Sequence, residues 1–218
     1  MSKVPSKDPV EIPRRTMPLW QKIIIGIALV VGAFFGYVAM LPAAFQVERS
    51  TTINAPPAAV FAEVNDFHRW DAWSPWVKVD PNAKATFEGA EAGNGAVFKW
   101  AGNAEVGEGS MTILDSRAPS HIHIRLDFLK PMEGSSQVEF AFEPVGEQTK
   151  VTWRMFGESN FVSRCFCVFM NMDKMIGGKY EEGLAKMKEI VEQKKSAPVE
   201  EKTAPAETKP VEESKSPS

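Results

Sequence analysis

Two histidines, His121 and His123, followed at the same spacing by Arg125 and Asp127, are the residues whose types and pattern best suit chemistry. On an extended strand this series projects to one side. There a pair of imidazoles can hold a metal ion, and an imidazole near a carboxylate can move protons. The interleaved Ile122, Ile124, Leu126 and Phe128 form an apolar side, so the polar row is expected to face solvent, and no third ligand lies near it in the sequence. Only an inverted strand would turn His123, Arg125, Asp127 and the nearby Glu139 inward as acid/base groups. The two cysteines, Cys165 and Cys167, point to opposite sides of a helix and read as small packing residues. No metal, cofactor or catalytic set is assigned. The HExxH, nucleophile-elbow, phosphate-loop and dinucleotide patterns are missing, and "GAEAGNGAVF" reads as a turn between strands.

A second concentration of unusual residues is "HRWDAWSPW", where Trp70, Trp73 and Trp76 follow one another at intervals of three. A helical turn aligns Trp70 with Trp73, and Pro75 stops it. Rings placed this way either seal a short helix onto the edge of a sheet or rim the entrance to an apolar site.

The elements that position these residues fall into zones. Residues 1–22 carry five basic and two acidic side chains, and "IIIGIALVVGAFFGYVAML" then runs from Ile23 to Leu41 without a charge. That is close to the ~20 residues a helix needs to cross a bilayer. A single transmembrane helix over 23–42 is expected, retained rather than cleaved because the apolar run is longer than a signal peptide's. The basic flank places the amino terminus in the cytoplasm and the rest outside it, in the periplasm if the cell has two membranes. Residues 194–218, with four prolines and no aromatic ring, read as a disordered tail. The domain between, 44–193, holds 15 basic and 21 acidic groups, a balance that repels a phosphate backbone and excludes nucleic acid as a partner.

Within that domain the period of two predicts about seven strands, with "HIHIRLDF", "QVEFAFE" and "KVTWRMF" the clearest and shorter ones over 45–53, 83–87, 95–101 and 109–116. "EAGNG" and "EPVGEQ" supply tight reversals, so an antiparallel meander is expected. Asn54 before "APPAAVFAEV" reads as the cap of a short helix. From residue 160 to 191 an apolar stripe recurs every three or four residues and predicts a long helix, kinked or broken into two helices at Gly177 and Gly178.

This order of elements, with "VERSTTINAPPAAVFAEVNDFHRWDAWSPW", "GEGSMTI", "LDFLKP", "TKVTWRM" and "MDKMIGGKYEEGLAKMK", resembles the START/Bet v 1-like superfamily, in its polyketide cyclase/dehydrase and lipid transport branch. The resemblance implies an α+β helix-grip fold: a curved antiparallel sheet wrapped around a long carboxy-terminal helix, with an elongated apolar cavity between them. The expected cavity lining is Trp70, Trp73, Phe98, Trp100, Ile124, Leu126, Phe140, Trp153, Met172 and Met187. The expected role is a membrane-anchored binding protein for a hydrophobic small molecule or lipid. A cyclase- or dehydratase-type enzyme and a non-catalytic scaffold for a protein partner are the alternatives, and the sequence names neither ligand nor partner.

Overall fold

The computed structural model describes residues 17–159, 161–169 and 172–196. An apolar helix α1 (Leu19–Met40) precedes β1 (Ala44–Ile53), α2 (Pro57–Asn65) and a 3₁₀ helix (Phe67–Ala72). Six strands follow: β2 (Lys84–Gly89), β3 (Ala96–Ala101), β4 (Glu108–Arg117), β5 (His121–Lys130), β6 (Gly134–Val145) and β7 (Gln148–Glu158). Two helices, α3 (Phe161–Phe169) and α4 (Met172–Ser196), complete the described chain. Met170, the basic segment up to residue 16 and the tail beyond Ser196 lie outside the described residues.

The strands form one antiparallel sheet in the order β1-β7-β6-β5-β4-β3-β2. The meander runs without a crossover from β2 to β7, and β1 pairs with β7 along ten residues, from Ala44 opposite Glu158 to Ile53 opposite Thr149. Gly93, Gly95 and Gly146 take positive φ in the two reversals, which a residue with a Cβ would adopt only with strain. The curved sheet with its carboxy-terminal helix is the expected helix-grip, and α4 lies chiefly over β1.

Alternation assigns the faces. Val138, Phe140 and Phe142 of β6, Val151, Trp153 and Met155 of β7, and Ile122 and Ile124 of β5 are buried on the concave face against α2, α4 and the 3₁₀ helix. From α4, Tyr180, Leu184, Met187 and Val191 complete the core at helical spacing.

Three expectations change. Asn54 does not cap α2: Pro56 stands at the N-cap and Pro57 opens the helix. The backbone N–H of Asn54 donates instead to Glu192 at 2.7 Å, and Lys195 donates to its side-chain oxygen at 3.0 Å. Those contacts, with Lys194 on Glu63, carry α4 to Ser196, three residues into the segment read as tail. Gly177 and Gly178 do not break α4, because a neighbouring side chain occupies the place a Cβ at Gly177 would take.

Candidate functional site

The tryptophan spacing has a local cause. In a 3₁₀ helix residues three apart eclipse, and the rings of Trp70 and Trp73 lie 4.7 Å apart. Trp70 Nε1 donates to the carbonyl of Val64 at 2.9 Å and Trp73 Nε1 to that of Glu63 at 3.1 Å. Both acceptors belong to the last turn of α2, whose carbonyls have no partner within the helix. The two indoles therefore cap α2 while their apolar edges meet Phe140 and Trp153. Trp76 stays partly exposed outside this set.

Beneath α4 the rings are in mutual contact. Trp73 and Trp153 meet edge-on at 5.5 Å, Phe140 and Trp153 stack at 4.9 Å, and Trp153 and Tyr180 stack at 3.8 Å. Burial pushes the Tyr180 phenol above the ordinary tyrosine range. Trp73, Ile124, Phe140, Trp153 and Met187 are at most 2% exposed and Trp70 is 6% exposed, so these six candidates sit in packing among neighbours. An open recess of about 490 Å³ lies along α4 between Glu189, Glu192, Gln193 and Ser196.

Phe98, Trp100 and Leu126 lie elsewhere on the concave face, on strands away from β1, which α4 chiefly covers. Phe98, Met111 and Leu126 form one register row across β3, β4 and β5, and Trp100, Gly109 and Phe128 form the next. Phe98, Trp100, Met111 and Phe128 remain partly exposed. The absence of a side chain at Gly109 makes room for the Trp100 ring, and Trp100 Nε1 donates to the Val106 carbonyl at 3.3 Å. Phe45 lies over Gly157 in the same way. The second row is at the end of the strands where α1 joins β1, since Ala44, Glu158, Gly134 and Glu108 all fall at that end. The Met172 side chain is outside the described residues.

The polar row on β5 faces the convex side. His123 Nε2 pairs with Gln137 Oε1 at 2.8 Å, Arg125 donates to Asp127 at 2.7 Å, and Arg154 is bound to Glu139. No group of three metal-ligating side chains occurs among the described residues.

Two constellations escaped the sequence reading. Asp66 Oδ1 accepts from the backbone N–H of His68 at 2.9 Å and lies 2.8 Å from its Nδ1. Partial burial raises the Asp66 pKa, but these hydrogen bonds outweigh it and hold the carboxyl below its ordinary range. The His68 ring stacks on Phe87 at 4.1 Å, and Phe87 meets Phe98 at 5.4 Å, so the dyad stands at one end of the open aromatic strip. Arg49 is the second. It occupies a concave-face position between Val47 and Thr51, and its guanidinium donates to Asp173 and Glu181 of α4 at 2.6 to 2.9 Å. Hydrogen bonding to Arg49 lowers the Asp173 pKa. A charged residue inside an otherwise inward-facing series was the visible signal for it.

No curated protein matches the chain. Among solved structures, a Thermobifida fusca protein determined in solution superposes with a TM-score of 0.53 at 18% identity, covering 68% of this chain and 93% of its own. A Mesorhizobium loti protein gives 0.51 at 12% identity, covering 68% and 98%. One from Chromobacterium violaceum gives 0.50 at 13%, covering 70% and 99%. At such identities the likeness is one of fold. Residues 44–192, more than half of the chain, match the family described as polyketide cyclase / dehydrase and lipid transport, and the chain belongs to that family.

Proposed function

We propose that this protein is a membrane-anchored binding protein for a hydrophobic small molecule or lipid, with α1 as the anchor and the domain from β1 onward outside the cytoplasm. The observation that carries the reading is the strip of Phe98, Trp100, Met111 and Phe128, left partly exposed on a concave face whose other half is covered. Large rings packed against the core on one side and left water-facing on the other are what an apolar guest would cover. The proposed site is thus displaced from the central helix–sheet interface, where the rings of Trp73, Phe140 and Trp153 meet.

The anchor reading is supported by composition and exposure. α1 is 22 residues long with a mean hydropathy of 2.5, and only 6% of its apolar window is buried in the protein. A helix this apolar and this uncovered suits lipid as its solvent. Three residues, Leu41 to Ala43, separate it from β1, so the strip is held close to the membrane surface.

The test is recovery of a guest from full-length protein extracted in mild detergent and examined by native mass spectrometry. A bound lipid in the native protein, lost in Trp100→Ala, is expected. A ligand at 100 times its Kd should also stabilise the fold by ~2.7 kcal/mol. Empty protein, with no thermal shift from a panel of lipids and polyketide-like aromatics, would refute the reading.

One observation favours a cyclase- or dehydratase-type enzyme instead: the Asp66–His68 pair at the end of the strip. With Nδ1 held by the carboxylate, Nε2 is the free nitrogen able to take a proton. Carriage predicts that His68→Gln releases the same unaltered guest as the native protein; catalysis predicts that the variant accumulates a compound the native protein converts.

A further inference from the structure

Helix α3, "FVSRCFCVF", has a single charged residue in nine and is separated from the end of β7 by two residues. It packs against the end of α1, with Phe161 6.0 Å from Phe35 between ring centroids and Arg164 Nη1 donating to the Leu41 carbonyl at 3.0 Å. Leu41 is the C-cap residue of α1, so the arginine answers the negative end of that helix. With its charge used inward, α3 turns Phe161, Val162 and Val168 outward, 40%, 53% and 39% exposed. Leu129 and Met132, at the end of β5 and in the turn after it, are 56% and 46% exposed. They belong to the same end of the strands, because Phe128 pairs with Gly134 at the end where Ala44 pairs with Glu158.

A helix in water shows a polar outer side; this one shows Phe and Val. We infer that α3 is an interfacial helix, lying in the headgroup layer beside the anchor with Phe161, Val162 and Val168 in the acyl boundary, and that Leu129 and Met132 rest on the same bilayer surface. The partner is a phospholipid bilayer and the attraction is apolar. No cluster of basic side chains accompanies the exposed residues on α3, so zwitterionic lipid suffices and salt has little effect. The inference rests on the proposed anchoring through α1, which makes the surface contiguous with a segment already in lipid.

The test uses the full chain in phosphatidylcholine vesicles. With Cys165→Ser and Cys167→Ser as background, Val162→Cys, Val168→Cys and Val145→Cys each carry an environment-sensitive fluorophore, Val145 lying at the opposite end of the sheet, where β6 ends. Quenching by brominated acyl chains is expected to dim the first two at least about twofold and to spare the third, at low and high salt alike. As a check that needs no substitution, a lipid-soluble carbene reagent should label peptides 161–169 as well as α1 in the native chain, but not 143–149. If the protein resists alkaline carbonate yet 162 and 168 are quenched no more than 145, or α3 escapes labelling, the interfacial helix is overturned and the anchor stands. If carbonate releases the protein from the vesicles, the anchor fails and this inference with it.

Discussion

The guanidinium of Arg49 lies in the space that a side chain on Gly177 would fill. Gly177 is inside α4, where glycine costs ~1 kcal/mol relative to alanine, and that cost is tolerated because the arginine must pass beneath the helix to reach Asp173 and Glu181. Gly177→Ala should therefore destabilise the native protein by about 1 kcal/mol, overpacking exceeding the gain in propensity. In an Arg49→Ala background the sign should reverse, to a gain of about 0.5 to 1 kcal/mol. Thermal unfolding of the four proteins in detergent, treated as a double-mutant cycle, measures both.

Trp73 and Trp153 are both about 2% exposed, but only one has its indole N–H engaged. Trp73 donates to Glu63, while Trp153 Nε1 is buried without a well-formed hydrogen bond, the Tyr180 hydroxyl being the polar group beside it. Trp73→Phe leaves a helix-end carbonyl orphaned, whereas Trp153→Phe removes a donor that made no well-formed bond. We expect Trp73→Phe to cost about 1 to 2 kcal/mol more than Trp153→Phe in urea unfolding, although the two lose the same atoms.

The raised pKa of buried Tyr180 makes stability depend on alkaline pH. In the unfolded chain the phenol ionises near ~10, while in the fold it holds its proton to higher pH. Its contribution is complete below ~10 and is lost as pH rises from there toward the folded-state value, since the unfolded state then binds fewer protons. Between pH 9 and 12 the melting temperature of the native protein should fall more steeply than that of Tyr180→Phe. Parallel slopes would contradict the assignment.

Gly109 sits under the Trp100 ring, and an added Cβ would also meet the Asp127 carbonyl, which cannot move without breaking the β4–β5 ladder. Gly109→Ala should thus cost about 1 to 3 kcal/mol and displace Trp100. Trp100 fluorescence, isolated by replacing the exposed Trp20 and Trp76 with Phe and differencing against Trp100→Phe, should shift to longer wavelength in the alanine variant.

The strands and their faces were legible because alternation is local: "HIHIRLDF" alone assigns Ile122 and Ile124 inward and His123 outward, as found. The helical stripe of Tyr180, Leu184, Met187 and Val191 was legible for the same reason. Two kinds of feature were not. Contacts between residues over a hundred positions apart, such as Arg49 with Asp173 and Asn54 with Glu192, leave no periodic trace, so the capping role given to Asn54 and the break expected at Gly177 were both misplaced. The second is volume. Periodicity reports that a side chain points inward, but whether Trp73, Phe140 and Trp153 meet or stand apart depends on sheet curvature and on where α4 crosses, which no single segment encodes.

The junction at Leu41 to Ala43 also has a mechanical meaning. A pull on α1 travels straight into β1, whose ten residues are bonded in register to β7 at the sheet's edge. Force applied along that strand loads its hydrogen bonds together in shear rather than one after another, so a load on α1 would be borne by a ten-residue ladder at its point of attachment.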